Sequence, residues 1–281
     1  MRAPLLLLVA AAVVWVRIVP LGLPAAGSQA PALRYRASDG RERAFLGDYD
    51  SYLWLRQARN YVRAGTVCDA GTPACRDTFT NAPVGGAMKY ARSLHTAAIV
   101  AVHRAIGVFA PHHPLDASAY WVPVVAGVLA VWPAYLLARR LGGEVGGLVG
   151  ALLVGTSPAI LVRTIGGDND VWNVVLPLAA VAAAASGHAV LAGVVIGLHA
   201  LDWSGWPLAF GVVLVGLAGT VIVRRLRRSP EVGAAVRTLA LFPVAALAVT
   251  ALPSGAPRRS PESGSSCSIT GSCFMVLMNR V

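Results

Sequence analysis

Two short acidic pairs are the residues of this chain whose types and spacing could do chemistry. Asp168 and Asp170 stand in RTIGGDNDVW (163–172), between two long apolar runs. If that segment is extended, side chains at i and i+2 point the same way. Two carboxylates held on one side repel each other unless a cation lies between them, and carboxylate oxygens suit Mg2+ or Mn2+ with several waters retained. The alternative is a solvated acidic turn, with Asn169 serving the turn itself. Asp48 and Asp50 stand in GDYDSYLWLRQARNYV (47–62). They precede an amphipathic stretch in which Tyr52, Leu55 and Ala58 are expected on one helical face, with Arg56 and Arg59 nearby. Asp50 could equally be the N-cap of that helix. Acidic residues at the ends of apolar spans are functional candidates.

Both pairs sit in a chain built for a bilayer. Of its 281 residues, 56% are hydrophobic and 13% charged, where a soluble domain carries about 25% charged residues. Mean hydropathy is +0.62. The net charge of +11 does not point to nucleic acid. The basic residues form short clusters at the ends of apolar runs, not a continuous face with aromatics between, and are better explained as topology signals. The expectation is an all-α, polytopic integral membrane protein with six or seven transmembrane helices.

Residues 4–23 are read as a first, retained span, with a signal peptide as the alternative and Arg17 expected to snorkel. Residues 24–116 form an external loop that carries the first acidic motif. Within it, 94–110 is interrupted by His95, His103 and Arg104 and reads as an interfacial or re-entrant helix. Residues 117–252 form the bundle, with spans near 117–138, 145–162, 171–187, 188–201, 206–223 and 234–252 and the second acidic loop at 163–170. With the N-terminus inside, Arg139, Arg140 and RRLRR (224–228) fall inside, as the positive-inside rule requires. Asp48/Asp50, Asp168/Asp170 and Asp202 then fall outside. Asp202, Trp203 and Trp206 read as interfacial anchors, His199 and Asp202 could form a polar pair, and the His112-His113 pair is expected to be solvated. Cys68 and Cys75 are expected to form a disulfide on the outer side. Nothing is assigned to Cys267 or Cys273. Residues 253–281 form an atypical Ser/Pro/Gly-rich tail, read as disordered or frameshifted.

GDYDSYLWLRQARN followed by RTIGGDNDVWN between two spans, with FTNAPVGG (79–86) and YARSLHTAAI (90–99), resembles the N-terminal half of the oligosaccharyltransferase catalytic subunit family, membrane glycosyltransferases of the GT-C type. The resemblance covers about residues 1–225. It implies transfer of a glycan from a polyprenyl phosphate or diphosphate carrier to Asn in N-x-Ser/Thr, with Mn2+ or Mg2+ as cofactor. By the same resemblance Asp168 and Asp170 bind the metal, Asp50 shares it and engages the acceptor amide, and Arg163 matches a preceding Arg in the second loop. The stretch from Arg163 to Asp168 is about two residues shorter than the family pattern, which leaves the role of Arg163 open. The family's later acidic ligand and Trp-Trp-Asp motif do not occur here, so the chain alone is expected to be truncated and inactive. A transferase of the protein mannosyltransferase type and a non-enzymatic polytopic protein are the alternatives. A transporter would place its acids inside the spans, where there are essentially none.

Overall fold

The structure, a computed structural model, describes residues 2–252 except 20–33, 37, 39, 41, 45, 47, 48, 70–74, 81, 89 and 165. Asp48 and the tail 253–281, with Cys267 and Cys273, lie outside the described residues. The described residues are mainly helical, with four very short strands among them paired as two antiparallel ribbons, β1 (Arg34–Arg36) with β2 (Glu42–Ala44) and β3 (Arg76–Asp77) with β4 (Gly86–Ala87). Around them run α1 (Arg2–Ile18), α2 (Tyr49–Ala64) and α3 (Leu94–Phe109). The remaining helices are α4 (Leu115–Thr156), α5 (Pro158–Thr164), α6 (Trp172–Ala185), α7 (Ala189–His199), α8 (Trp206–Leu226) and α9 (Val232–Thr250).

The long α4 is a helical hairpin. Its two limbs meet at Gly142 and Gly143, whose backbones are non-helical, Gly143 at φ +63°. Glycine tolerates that left-handed conformation without a Cβ penalty. Glu144 folds back to pair with Arg139 (2.8 Å) and to accept a hydrogen bond from Tyr135 Oη (2.6 Å). The limbs then approach so closely that a Cβ on Gly150 would lie 2.3 Å from Ala138 Cβ. A Cβ on Gly155 would lie 2.2 Å from Val13 of α1. Small residues at such crossings let apolar helices gain dispersion contact where no hydrophobic drive separates helix from lipid. The span expected over 145–162 is broken at Ser157–Pro158, where proline lacks the amide the helix would need, and resumes as α5.

A second cluster joins α6, α7, α8 and α9 through Ala180, Ile196, Leu217 and Phe242. Gly193 and Gly197 of α7 lie directly against the backbone of α9. Among the described residues, α4, α8 and α9 are long and apolar enough to cross a membrane. The apolar helices α1, α3, α6 and α7 are 11 to 17 residues long.

The segment between α1 and α4 has its own framework. The expected Cys68–Cys75 disulfide is formed. Arg56 is part of this framework. It pairs with Asp69 (2.9 Å) and Asp77 (2.6 Å) and lies 4.6 Å above the Phe79 ring. The buried face of α2 is Trp54, Leu55, Ala58 and Tyr61, while Tyr52 is 42% exposed. Its hydroxyl reaches back to accept a hydrogen bond from the Leu46 amide.

Burial alone would raise the Asp77 carboxyl, but hydrogen bonds from Arg56, Thr80 and the amides of Thr80 and Phe79 outweigh it and lower the pKa to about 2. The folded value lies below the ordinary 3.8, so this stabilisation is complete above that pH and lost as pH falls through about 2. Arg56→Ala strips the buried Asp77 of its counter-charge and is expected to cost about 3 kcal/mol. Amide exchange over residues 49–90 is the measurement, and an unchanged exchange pattern would contradict the assignment.

Candidate functional site

The loop between α5 and α6 is short and irregular. Gly166 adopts φ +117°. Asp168 is extended (φ −86°, ψ 155°) and is the N-cap of a 3-10 turn over Asn169–Val171, its Oδ1 accepting from the Asn169 amide at 2.7 Å. The segment is therefore not a continuous extended strand, and the expectation that alternation alone aligns the two carboxylates is corrected. Asp168 ends the extended piece, and Asp170 lies within the tighter turn.

Four elements hold this loop. From α2, the indole Nε1 of Trp54 donates to Asp168 Oδ1 at 3.4 Å. From α3, His95, fully buried, lies against the carbonyl of Gly167 at 2.6 Å through Nε2. Trp172 Nε1 donates to His95 Nδ1 at 3.1 Å. An indole N–H can only donate and a carbonyl can only accept, so the network assigns the proton to Nε2. From the turn after α7, the carbonyl of Asp202 accepts from Asn169 Nδ2 at 2.7 Å. From α6, Asn173 Nδ2 donates to Asp170 Oδ1 at 3.0 Å, while Asn173 Oδ1 is 2.8 Å from His199 Nε2. His199 thus fixes the amide that orients Asp170.

Asp202 is not the interfacial anchor expected. It is 1% exposed. Its Oδ1 accepts from Ser93 Oγ (2.5 Å) and from the His95 amide (3.1 Å) at the start of α3, while Oδ2 is buried with no hydrogen-bond partner among the described residues. One residue thus holds the N-terminus of α3 with its carboxyl and the acidic loop with its carbonyl. Nor do His199 and Asp202 pair through their side chains. His199 bonds to Asn173 and packs on Trp203, ring centroids 5.4 Å apart.

Arg163 lies at the end of α5 with its Nε 3.8 Å from Asp170 Oδ2, and its side chain is 79% exposed. Asp50 is exposed in the first turn of α2, which begins at Tyr49, so Asp50 is not the N-cap. It precedes Trp54, which bonds to Asp168, by one helical turn. Asp168 and Asp170 are half-buried. They supply two hard oxygen donors on one loop, the ligand type a divalent cation of the Mg2+ or Mn2+ class prefers. Among the described residues no three His, Cys, Asp or Glu side chains gather closely enough to hold an ion.

Trp54, Ser93, His95 and Asn173 were not singled out as site residues from the sequence. Trp54 and Asn173 had a local signal, at i+4 from Asp50 and i+3 from Asp170. Ser93 and His95 had none, because they reach Asp202 and Gly167 across 109 and 72 positions.

Burial raises the Asp202 carboxyl to about 6, against the hydrogen bonds from Ser93, His95 and Leu94 that favour its charged form. The folded value lies above the ordinary 3.8, so the contribution to stability is fully present below that pH and is lost as pH rises through about 6. Asp202→Asn is expected to abolish this slope. Thermal unfolding followed from pH 4 to 7 would show it, and an unchanged slope in the variant would refute it.

A family model described as "Oligosaccharyl transferase STT3, N-terminal" matches residues 34–280. A dolichyl-phosphooligosaccharide-protein glycotransferase of Methanococcus voltae is 25% identical over 201 residues, 64% of this chain and 22% of that protein. The dolichyl-monophosphooligosaccharide–protein glycotransferase AglB of Haloferax volcanii is 28% identical over 227 residues, 66% of this chain and 20% of that protein. The chain thus spans about a fifth of the length of these curated relatives. The fold matches the Archaeoglobus fulgidus oligosaccharyltransferase solved with Zn and sulfate at a TM-score of 0.61 and 21% identity, covering 88% of this chain and 30% of that one. The apo form of the same enzyme gives a TM-score of 0.62 at 20% identity. With a family match across most of its length and apolar helices long enough to span a bilayer, the chain is an integral membrane protein and belongs to the oligosaccharyl transferase STT3 N-terminal family.

Proposed function

We propose that this chain forms the lipid-linked-donor side of an oligosaccharyltransferase site, in which a glycan passes from a polyprenyl phosphate or diphosphate carrier to Asn in an N-x-Ser/Thr acceptor. The observation that carries the reading is the D-x-D loop at 168–170, pinned by α2, α3, α6 and the Asp202 turn at one end of the bundle.

Asp168 and Asp170 are the ligands proposed for Mn2+ or Mg2+, with Asp50 approaching from α2. What a bound divalent cation supplies is a sink for the negative charge that develops on the phosphate leaving group. Asp50 accepts a hydrogen bond from the acceptor amide N–H, which makes that nitrogen a better nucleophile. Arg163, loosely paired with Asp170 and mostly exposed, adds positive charge beside the loop for the carrier phosphate. The position of the loop suits a donor whose lipid tail stays in the bilayer.

Seven crossings accommodate the helices: α1, the two limbs of α4 (the second continued by α5), α6, α7, α8 and α9. Arg139, Arg140 and the Arg224–Arg228 cluster lie at the helix ends away from the D-x-D loop; Arg140 bonds to Ser186 in the turn after α6. This supports a loop on the external side and basic residues inside.

Mn2+ titration of the chain in detergent, read by loss of the free-ion EPR signal, is the test. Asp168→Asn and Asp170→Asn should each weaken binding at least about tenfold. In a glycan-transfer assay on a polypeptide that contains this segment, each of these and Asp50→Asn should lower the rate by about 100-fold or more. Near-normal binding and transfer in all three variants would overturn the assignment.

A further inference from the structure

We infer that Arg17 of α1 is a positioning residue for the D-x-D loop, holding its stem through Thr164. Arg17 was expected to snorkel to the membrane surface, but it is 2% exposed. Its guanidinium donates through one terminal nitrogen to Thr164 Oγ1 at 3.1 Å, with the Thr164 carbonyl at the outer limit of a hydrogen bond, 3.5 Å. Thr164 Oγ1 in turn donates to the Ile160 carbonyl at 2.8 Å. The hydroxyl proton is therefore committed within α5, and its lone pairs are presented to Arg17. Arg17 Nε is buried without a partner among the described residues, which show no carboxylate paired with this cation.

An arginine buried inside a bundle without an acidic partner is costly, and stability does not repay that cost. The arrangement shows what it does instead. Thr164 is the last residue of α5, where helix carbonyls have no intrahelical donor and a cation is favoured. Four positions later comes Asp168. Between them lie Gly166, at φ +117°, and Gly167, whose carbonyl His95 holds. Glycines alone would leave this stem conformationally free. His95 fixes its far end, and Arg17 fixes its near end.

The fold makes room for this contact. A Cβ on Gly127 of α4 would lie 2.3 Å from Arg17 Nε and 2.7 Å from its Cζ. Gly127 lies directly against the guanidinium, and a larger residue there must displace it.

The test uses the full chain in detergent, with two independent readouts. Amide exchange over residues 166–170 should rise about tenfold in Arg17→Met, because the stem loses one of its two fixed ends. Exchange in α8 and α9 should not change, and thermal stability should be kept, since an apolar side chain replaces a buried charge. Arg17→Lys, which restores one donor, should recover part of the protection. Gly127→Ala should reproduce the Arg17→Met pattern with Arg17 still present. Thr164→Val removes the accepting hydroxyl at constant shape and decides the question if Arg17→Met does not fold. Unchanged exchange at 166–170 in both Arg17→Met and Thr164→Val would overturn the inference.

The second readout rests on the metal reading proposed above. Mn2+ affinity should fall about tenfold in Arg17→Met, as for other residues that orient ligands without touching the ion. If the wild-type chain takes up no Mn2+, the metal reading fails, and the role of Arg17 is decided by the exchange measurement.

Discussion

The constraint on which this structure depends is that irregular backbone packed among apolar helices must find hydrogen-bond partners from neighbouring elements. The loop from Gly166 to Val171 is such a segment. Its solution is to exchange polar groups with distant elements: His95 of α3 bonds the Gly167 carbonyl, and Asn169 Nδ2 of the loop donates to the Asp202 carbonyl. Because Asp202 also takes the Ser93 hydroxyl and the His95 amide, the same residue orders the start of α3. That order sets His95 against Gly167. The acidic loop and the helices around it are thus one hydrogen-bonded unit, in which each polar group serves its neighbour.

This unit explains why so much polar chemistry is tolerated at the end of an apolar bundle. Buried networks stabilise a single arrangement when their groups are satisfied and penalise it when they are not. Here the Gly167 carbonyl, the Asn169 amide and the orienting groups Asn173 and His95 have specific partners. Asp202 Oδ2, His199 Nδ1 and Arg17 Nε have no hydrogen-bond partner among the described residues. Around the loop, His95 and Asn169 are buried, while Asp168 and Asp170 are half-buried and the Arg163 side chain is 79% exposed.

The fold class and most helix positions were legible in the sequence because hydropathy is a local property. The spans expected near 117–138 and 145–162, with Arg139 and Arg140 between them, match the two limbs of the α4 hairpin, apart from the break at Ser157–Pro158. The disulfide was legible from spacing and compartment. What the sequence could not disclose was contact across long separations. Arg17 reads as a misplaced charge until Thr164, 147 positions away, is brought beside it. Asp202 next to two tryptophans has the composition of an interfacial anchor, and only the packing of α3 against its turn makes it a buried bridge. Arg56 reads only as a neighbour of an apolar helical face, and its partners Asp69 and Asp77 lie beyond α2. The two carboxylates of the loop were correctly singled out, but their geometry was not, because capping by Asp168 starts a 3-10 turn where alternation had been expected.

These differences share a cause. A charged or polar side chain in an apolar chain has few acceptable destinations, and its sequence neighbours rarely provide one. Arg17, Arg56, His95 and Asp202 all resolve that demand by reaching another element. The consequence for reading related chains is directional. A lone polar residue inside an apolar helix is better treated as one half of a tertiary contact than as a local anomaly. The glycine that makes room for it, as Gly127 does for Arg17, is the second half of the same signal. Polar residue and glycine lie on different helices here, so neither is informative alone. Together they specify how α1 lies against α4, and through Thr164 where the acidic loop begins.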